Sequence, residues 1–262
     1  MQSDIEEFVK SLYSTDRYII QNPSLHEEDS PWKISKILPL VDKFIGEVNK
    51  EKINILDVGG GAGFILKAVS TYIESHHHAR VDKFVLDLSP GMLEIQKKNN
   101  SDLKRAFNED MRKTSIGNKE IDLVLLIDVL EHVSDTTVAL EELRRISNFV
   151  IFKVPLEDNL CTKTWNFINR GKPRKRSIEN LGHINYYNFR KLKQQIEKHL
   201  GCILDSYFTN YYQYLRDSEH YREDRNLAGK LADLVGLNVY KLSPRICSEI
   251  FTDFTMMLAK CY

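Results

Sequence analysis

Short apolar runs and amphipathic stretches alternate through the middle of the chain, and this pattern predicts its architecture. Five runs have the length of β-strands: Ile53–Val58, Phe84–Leu86, Leu103–Phe107, Ile121–Ile127 and Phe149–Val154. Ile121–Ile127 is almost continuously apolar, as expected of a strand that is buried on both faces. Helical periodicity lies between the runs, so the alternation predicts a doubly wound, mostly parallel α/β sheet with helices on both faces.

The first 50 residues predict two helices around a turn-rich segment. Apolar residues at positions 5, 8, 9 and 12 share one helical face, and those at 34, 37, 38, 41, 44 and 45 share another. Positions 22–31 between them are rich in turn residues. We therefore expect an N-terminal helical lid over residues 1–50 and a larger α/β domain over residues 51–262.

The rhythm of strands and helices stops after Pro155. Residues 158–181 predict a polar, irregular segment, within an insertion over about residues 156–187 that we expect to border a binding site. A helix at 189–199 then precedes a strand at Cys202–Tyr212, a charged helix at 219–234 and a last strand at Ile250–Cys261. This order predicts a mixed, seven-stranded sheet with an antiparallel edge, in which the last strand is antiparallel.

Composition and charge restrict the class of partner and compartment. The 262 residues include 37 Lys or Arg and 37 Asp or Glu, so no global charge favours nucleic acid or a membrane surface. Four cysteines are scattered without a C-x-x-C pair, which favours a reducing compartment. No apolar run approaches the roughly 20 residues of a membrane span, and the acidic beginning lacks a signal core. We expect a cytoplasmic protein without a membrane span.

A glycine cluster follows the first strand of the alternating region, in Ile55-Leu56-Asp57-Val58-Gly59-Gly60-Gly61-Ala62-Gly63. Glycine lets a ligand approach the backbone, and the next helix presents unpaired N–H groups to it. The dinucleotide pattern G-x-G-x-x-G fails, because it needs glycine at 64 or 66, where Phe64 and Leu66 stand. This register disfavours a nicotinamide enzyme, while an ordinary tight turn stays an alternative.

Three acidic residues follow the later strands, at the edge where such sheets bind ligands. Asp87 ends the second strand, where its carboxylate can accept hydrogen bonds from ribose hydroxyls. Asp110 follows the third strand and can accept a bond from an adenine amino group, beside an apolar wall at Met111. Asp128 interrupts the end of the most apolar strand, and since burying it unpaired would be costly, we expect it to face the crevice. A solvated turn residue is the alternative for Asp87 and Asp110.

These four segments, in this order, resemble the motifs of class I S-adenosylmethionine-dependent methyltransferases. The glycine cluster with its preceding aspartate reads D-x-G-x-G-x-G, which is similar to the first motif, where the loop holds the methionine part of the cofactor. The string Asp87-Leu88-Ser89-Pro90-Gly91-Met92 is similar to the second motif. Asp128-Val129-Leu130-Glu131-His132 resembles the fourth motif of the small-molecule branch, which includes quinone, sugar and natural-product methyltransferases.

The resemblance implies a Rossmann-like methyltransferase domain, S-adenosylmethionine as cofactor, S-adenosylhomocysteine as product and a small-molecule acceptor methylated on O or N. The cofactor-binding residues that it implies are the acids, glycines and flanking residues of the motifs: Asp57, Gly59, Gly60, Gly61, Gly63, Asp87, Leu88, Met92, Asp110, Met111, Asp128 and Val129. Methylation of RNA or protein, and a non-catalytic relative that only binds the cofactor, stay as alternatives.

Two histidines are candidates for chemistry, and two residues of the lid are candidates for covering the cofactor. His183 lies after the last parallel strand of the alternating region, in the part that borders the acceptor site in relatives, while His132 ends the fourth motif. A general base is needed only if the acceptor must lose a proton, so each histidine can be a base or a pocket wall. Trp32 can close over the cofactor or anchor its helix, and Lys33 can meet the cofactor carboxylate.

Two further features are discounted. The run His76-His77-His78 has no carboxylate or thiol at ligand spacing, and adjacent histidines rarely converge on one ion, so we predict no metal site. The basic run 171–176 could touch phosphate, but no aromatic platform or RNA-binding motif accompanies it, so we expect a solvated loop and no nucleic-acid partner.

Overall fold

Seven strands form one sheet in the computed structural model, which describes residues 2–15, 19–20, 24–25, 27–48, 50–218, 221 and 226–262. The strands are β1 (Lys52–Val58), β2 (Arg80–Leu86), β3 (Leu103–Phe107), β4 (Ile121–Ile127), β5 (Ser147–Pro155), β6 (Gly201–Phe208) and β7 (Phe254–Cys261). Their order is β3-β2-β1-β4-β5-β7-β6, and β7 runs antiparallel to both of its neighbours. The predicted mixed α/β sheet and its five central strands are confirmed.

Helices pack around this sheet. They are α1 (Gln2–Ser14), α2 (Ser30–Glu47), α3 (Phe64–Tyr72), α4 (Pro90–Asn99), α5 (Thr136–Ile146), α6 (Leu160–Ile168), α7 (Lys172–Leu181), α8 (Phe189–His199), α9 (Tyr211–Asp217), α10 (Leu227–Leu242) and α11 (Pro244–Ile250). Short helical turns lie at Glu27–Asp29, Ile73–His77 and Leu130–His132. In the part of the chain that the structure describes, no helix is both long and apolar enough to cross a bilayer.

The two faces of β4 enter two separate hydrophobic clusters. Val124 and Leu126 pack with apolar residues of α5 and α8, and Leu123 and Leu125 pack with residues of α2 and α3 on the opposite face. All seven residues of β4 are buried. The period of two along a strand thus explains why the sequence of β4 is apolar without interruption, as predicted.

The prediction of an irregular segment at 158–181 is wrong, because helices α6 and α7 occupy it. Asn159 begins α6 by accepting a hydrogen bond from the backbone N–H of Thr162. Gly171, with a φ of 79°, turns the chain between the two helices. The basic run 171–176 is therefore the exposed beginning of a helix rather than a loop. These helices were hidden because α7 is mostly polar and the apolar residues of α6, such as Leu160, Trp165 and Phe167, are exposed and form no buried face.

The boundaries near the chain's C-terminal strands also differ from prediction. The predicted strand Cys202–Tyr212 ends at Phe208, since Asn210 adopts a φ of 57° and its side chain caps α9. The predicted last strand begins later, at Phe254, because α11 extends to Ile250. The charged helix predicted at 219–234 is found as α10, and residues 219–220 and 222–225 lie outside the described residues. The last strand, β7, is antiparallel as predicted, and it lies between β5 and β6.

Candidate active site

One cavity of about 530 Å³ lies at the carboxyl ends of β1, β2, β4 and β5, where ligands bind in open α/β sheets. Helix α1 and the beginning of α2 form part of its wall. The cavity brings together most of the predicted site residues: Trp32, Lys33, Gly59, Gly60, Gly61, Asp87, Leu88, Met92, Asp110, Met111, Asp128, Val129, His132 and His183. Sequence motifs that are far apart in the chain therefore meet around a single space.

The glycine loop between β1 and α3 is folded tightly against the strand that precedes it. Gly59, Gly61 and Gly63 have φ values of 61°, 54° and 81°, which side chains rarely allow. A Cβ on Gly60 would lie 2.0 Å from Oδ2 of Asp57, so only glycine fits there. Gly63 lies behind the loop and begins α3, where Asn100 donates a hydrogen bond to its carbonyl oxygen at 3.1 Å. The loop leaves its backbone open to the cavity at Gly59–Gly61.

Asp57 lies beneath this loop, completely buried. Neither of its carboxylate oxygens has a hydrogen-bond partner among the described residues. Burial, reinforced by the neighbouring Asp87, raises the pKa of Asp57 from 3.8 to about 7. An unpaired buried carboxylate is costly, and its position beside the open glycine loop fits a ligand that brings hydrogen-bond donors or positive charge.

Asp87 stands at the end of β2 with its carboxylate at the cavity wall. It accepts a hydrogen bond from the backbone N–H of Ser89 at 2.9 Å. Burial raises the pKa of Asp87 to about 6, although backbone N–H groups of Ser89 and Leu88 oppose this shift. The side chain keeps acceptor capacity for a ligand hydroxyl, as the sequence predicts for a ribose-binding residue.

Asp110 is held differently from what the sequence suggests, because its carboxylate is paired with Arg112. The guanidinium donates to both carboxylate oxygens of Asp110, the shortest contact being 2.7 Å. Arg112 also donates to Glu6 of α1 at 2.8 Å and to Ser134 at 2.6 Å. An adenine amino group would have to share the Asp110 carboxylate with this arginine. The arginine at the same time fixes α1 over the cavity.

Asp128 lies between two lysines. Its backbone has a φ of 56°, and its carboxylate contacts Nζ of Lys153 at 2.5 Å and Nζ of Lys33 at 3.0 Å. Burial opposes ionisation, but the two ammonium groups hold the pKa of Asp128 well below its ordinary value. Lys153 is only 1% exposed, and burial lowers its pKa to about 8 while Asp128 opposes the shift. Lys33, predicted to meet a cofactor carboxylate, thus pairs with a carboxylate of the chain.

Trp32 lies in a group of aromatic rings at the same end of the cavity. Its ring stacks on Tyr214 of α9, with centroids 4.3 Å apart, and contacts Phe254 edge-on at 6.1 Å. Nζ of Lys153 lies 3.5 Å from the centroid of the Phe254 ring. Trp32 both anchors α2 and lines the cavity, so its two predicted roles are compatible.

Four polar side chains of the cavity wall lie close together, and we call them the acceptor-side cluster: Glu131, His132, Glu157 and His183. Nδ1 of His183 lies 2.8 Å from Oε2 of Glu157. Burial alone would lower the pKa of His183, but Glu157 raises it above its ordinary value. The ring of His132 packs edge-on against that of His183, with centroids 4.9 Å apart.

Glu131 is buried and His132 is half-buried, and both have strongly shifted pKa values. Burial and the Asp128 charge raise the pKa of Glu131 to about 8, and its Oε2 has no hydrogen-bond partner among the residues described. Burial and His183 lower the pKa of His132 to about 3, so its ring is neutral. The hydroxyl of Tyr13 lies 3.1 Å from Nδ1 of His132 and donates to the carbonyl oxygen of Leu181 at 2.8 Å.

Sequence reasoning missed several residues that shape this site. Lys153 interrupts the apolar strand β5, and Asp128 directly follows the apolar strand β4. Opposite charges at the ends of two neighbouring apolar strands could have suggested an ion pair between them. Tyr13 and the contact of Arg112 with Glu6 had no local signal, because the residues in contact lie far apart in the chain. The run His76-His77-His78 lies apart from the cavity lining, with His77 bonded to Asp42 and His76 stacked on Tyr72.

Comparison with known proteins agrees with this geometry. A family model described as a methyltransferase domain matches residues 32–202. No curated protein matches the sequence of the chain. Among solved structures, a geranyl diphosphate methyltransferase in complex with S-adenosylmethionine is similar, with a TM-score of 0.57 and 11% identity, over 87% of this chain and 85% of that chain.

Two other solved structures share the fold. Phosphoethanolamine N-methyltransferase 2 of Haemonchus contortus has a TM-score of 0.55 and 13% identity over 87% of this chain and 52% of that chain, so the present chain spans about half of it. The 4+2 cyclase SpnF has a TM-score of 0.51 and 13% identity, over 85% of this chain and 80% of that chain. These likenesses concern the fold, whereas the family match covers well over half of the chain. The chain therefore belongs to the methyltransferase-domain family and is a class I S-adenosylmethionine-dependent methyltransferase.

Proposed function

We propose that this methyltransferase acts on O or N of a small-molecule acceptor, which binds between the glycine loop and the acceptor-side cluster. The observation that supports this most is the continuity of the cavity. One space joins the Gly59–Gly61 backbone and Asp87 to Glu157 and His183. A volume of about 530 Å³, partly covered by α1, suits small ligands rather than a folded macromolecular surface.

The residues that surround the glycine loop fit the cofactor. The close approach of Gly60 to Asp57 keeps the loop flat, and the unpartnered Asp57 carboxylate can accept hydrogen bonds from an ammonium group. We assign Asp87 to the ribose hydroxyls and Asp110 with Met111 to the adenine. Leu88, Met92 and Val129 supply apolar walls, and Val129 also packs against Gly59.

Trp32, Lys33 and Asp128 would complete the cofactor site from the lid and from β4. Lys33 and Lys153 both form ion pairs with Asp128. This end of the site therefore holds two ammonium groups and one carboxylate in fixed positions. We infer that the pair Lys33–Asp128 positions the methionine part of the cofactor rather than leaving Lys33 to act alone. When bound, S-adenosylmethionine supplies a methyl group on a positively charged sulfur, and this group carries the intrinsic reactivity.

The protein's own contribution is alignment, exclusion of water and control of a proton. Tyr13 and Glu6 fix α1 over the cavity, which keeps water from the reacting atoms. Because a carboxylate only accepts hydrogen bonds, the His183–Glu157 contact places a proton on Nδ1 of His183. In the neutral ring, Nε2 is then left to accept a hydrogen bond from the hydroxyl or amine of the acceptor. The neutral His132 ring serves as wall.

Calorimetry tests the cofactor half of the proposal. We expect S-adenosylhomocysteine to bind with micromolar affinity, NADH not to bind, and Asp87→Ala to abolish binding of S-adenosylhomocysteine. Failure of the wild-type protein to bind S-adenosylhomocysteine, or undiminished binding by the variant, would contradict the assignment.

Transfer of a radiolabelled methyl group to a panel of small hydroxyl and amine compounds tests the acceptor half. His183→Asn should lower turnover of any accepted compound by at least about tenfold, as expected for loss of a positioning or basic group. His199→Asn is the matched control, since His199 also contacts a carboxylate, Glu141 at 3.2 Å, but lies outside the cavity lining. Methylation of RNA or protein but of no small compound would overturn the proposal in favour of docking through residues 171–176.

A further inference from the structure

The wall of the cavity opposite the glycine loop holds a set of metal-ligand side chains that the motifs do not explain. We propose that Glu131, His132 and His183 form a binding site for a divalent transition-metal ion. This inference rests on the proposed function, because it places the ion where the acceptor would bind. It departs from the sequence-based prediction that the chain has no metal site.

The ligand atoms are already close together. One ligand atom from each of Glu131, His132 and His183 lies within 4.8 Å of the other two. This spacing allows a single ion to contact all three at about 2.0–2.2 Å with small side-chain movements. Glu131 and His132 lie together in the turn after β4, within the fourth-motif string, and the fold brings His183 to them from the segment after α7.

Glu131 supplies an independent sign of a missing partner. It is 1% exposed, and Oε2 has no hydrogen-bond partner in the described part of the chain. A buried carboxylate in this state must either hold a proton or face a cation. The nearby cations do not serve it directly, because Lys33 and Lys153 contact Asp128. The unpartnered oxygen lines the same cavity as the two histidines.

Hydrogen bonds orient both imidazoles and, for His183, leave the second ring nitrogen for an ion. Nδ1 of His183 donates to Glu157 at 2.8 Å. The Tyr13 hydroxyl gives its proton to the Leu181 carbonyl oxygen, so it accepts from Nδ1 of His132 at 3.1 Å. In the neutral form of the His183 ring, Nε2 therefore keeps its lone pair. Metal-binding histidines are oriented in this way by carboxylate or other acceptor partners.

The donor set indicates which ions fit. Two imidazoles and one carboxylate suit Zn²⁺, Mn²⁺, Co²⁺ or Fe²⁺, whereas Mg²⁺ and Ca²⁺ prefer sites made entirely of oxygen. Three protein ligands leave at least one coordination position open towards the cavity. The class of acceptor that follows is a compound with a hydroxyl or another donor atom that can ligate the ion. An ion at this place would bind the donor atom of the acceptor and lower the pKa of that group. The ion would then replace the hydrogen bond between the acceptor and His183.

Cobalt binding tests the site without any methyl acceptor. Untagged, metal-free full-length protein is titrated with Co²⁺, whose visible absorption reports nitrogen and oxygen ligation. All proteins carry His76→Ala, His77→Ala and His78→Ala, so that the exposed histidine run cannot contribute. We expect one equivalent of Co²⁺ per chain, displaced by Zn²⁺.

Variants locate the ion. Glu131→Gln and His183→Asn should each lower the affinity for Co²⁺ by at least about tenfold, and Glu157→Gln by about tenfold to a hundredfold through its effect on His183. His199→Asn, the carboxylate-bonded histidine outside the cavity lining, should leave the affinity unchanged. Absence of stoichiometric binding, or binding that neither Glu131→Gln nor His183→Asn weakens, would overturn the proposal.

Binding of S-adenosylhomocysteine to the same preparations separates the two proposals and controls for folding. Protein that binds S-adenosylhomocysteine but not Co²⁺ refutes the metal site and leaves the proposed methyl transfer standing. Protein that binds neither refutes both. Variants that keep S-adenosylhomocysteine binding while losing Co²⁺ establish the metal site, since a general loss of structure would remove both ligands.

Discussion

The buried carboxylate of Asp57 should make the protein less stable as the pH rises. Its pKa is 3.8 in an exposed chain and about 7 in the folded protein. Between these values the folded state holds a proton that the unfolded state has lost, so stability falls with rising pH. From the two pKa values, the cost of folding with this group is about 2 kcal/mol at pH 5 and about 4 kcal/mol at pH 8.

Replacement of Asp57 by Asn removes this dependence. The burial cost of the amide is the same at every pH, so it cancels when two pH values are compared. The stability of Asp57→Asn relative to the wild type should therefore rise by about 2–3 kcal/mol between pH 5 and pH 8. The same variant should bind S-adenosylhomocysteine more weakly, because the carboxylate that packs beneath the glycine loop has lost its charge.

Urea unfolding without ligand, followed by the fluorescence of Trp32 and Trp165, measures the difference at pH 5, 6, 7 and 8. Glu51→Gln is the control, since it removes an exposed carboxylate just before β1 and should change by less than about 0.5 kcal/mol over this range. A difference between Asp57→Asn and wild type that stays constant within about 0.5 kcal/mol from pH 5 to pH 8 would refute the reasoning.

Three further predictions concern the cofactor site. The pKa of Asp87 is about 6, and its charged form is the better hydrogen-bond acceptor, so affinity for S-adenosylhomocysteine should fall about tenfold per pH unit below pH 6. Calorimetry should find that the affinity of Asp87→Asn depends less on pH. Gly60→Ala should abolish cofactor binding and lower the free energy of unfolding in urea by about 1–3 kcal/mol, because the new Cβ would lie 2.0 Å from the buried Asp57 carboxylate. Gly46→Ala is the control and should not destabilise the protein, because its new Cβ would meet no atom within 4 Å. Arg112→Gln removes the link to Glu6, so hydrogen exchange in α1 should speed up roughly tenfold; unchanged exchange would show that the link does not hold the helix.

The central sheet was predictable because each of its strands carries a local signal. Ile121–Ile127 is apolar at nearly every position, and the structure buries it on both faces, with the bounds of β4 the same as predicted. Ser89 and Asn188 begin α4 and α8 by accepting backbone N–H bonds, as side chains of their type do. The glycine register also sufficed to exclude a dinucleotide loop.

Other parts depended on contacts that no local pattern contains. Tyr207 belongs to β6 but Tyr211 and Tyr214 belong to α9, and the change occurs at the left-handed backbone of Asn210. The strand predicted from the sequence, Cys202–Tyr212, placed Tyr207 and Tyr211 together. The pairing of Asp110 with Arg112 could have been suspected from their spacing, but its extension to α1 could not.

The place of β7 in the sheet has a consequence for how the chain folds during synthesis. This strand is the last of the seven to be translated, yet it bonds β5 on one side and β6 on the other. Val150 pairs with Ala259, so this contact closes a loop of more than a hundred residues. Strand β6 therefore cannot join the sheet until β7 has been synthesised. Until then the backbone hydrogen-bonding groups along the edge of β5 have no strand partner. Such distant pairing is slow and leaves a strand edge exposed to aggregation. A nascent chain stalled just before Phe254 should therefore need a chaperone more than the finished protein does.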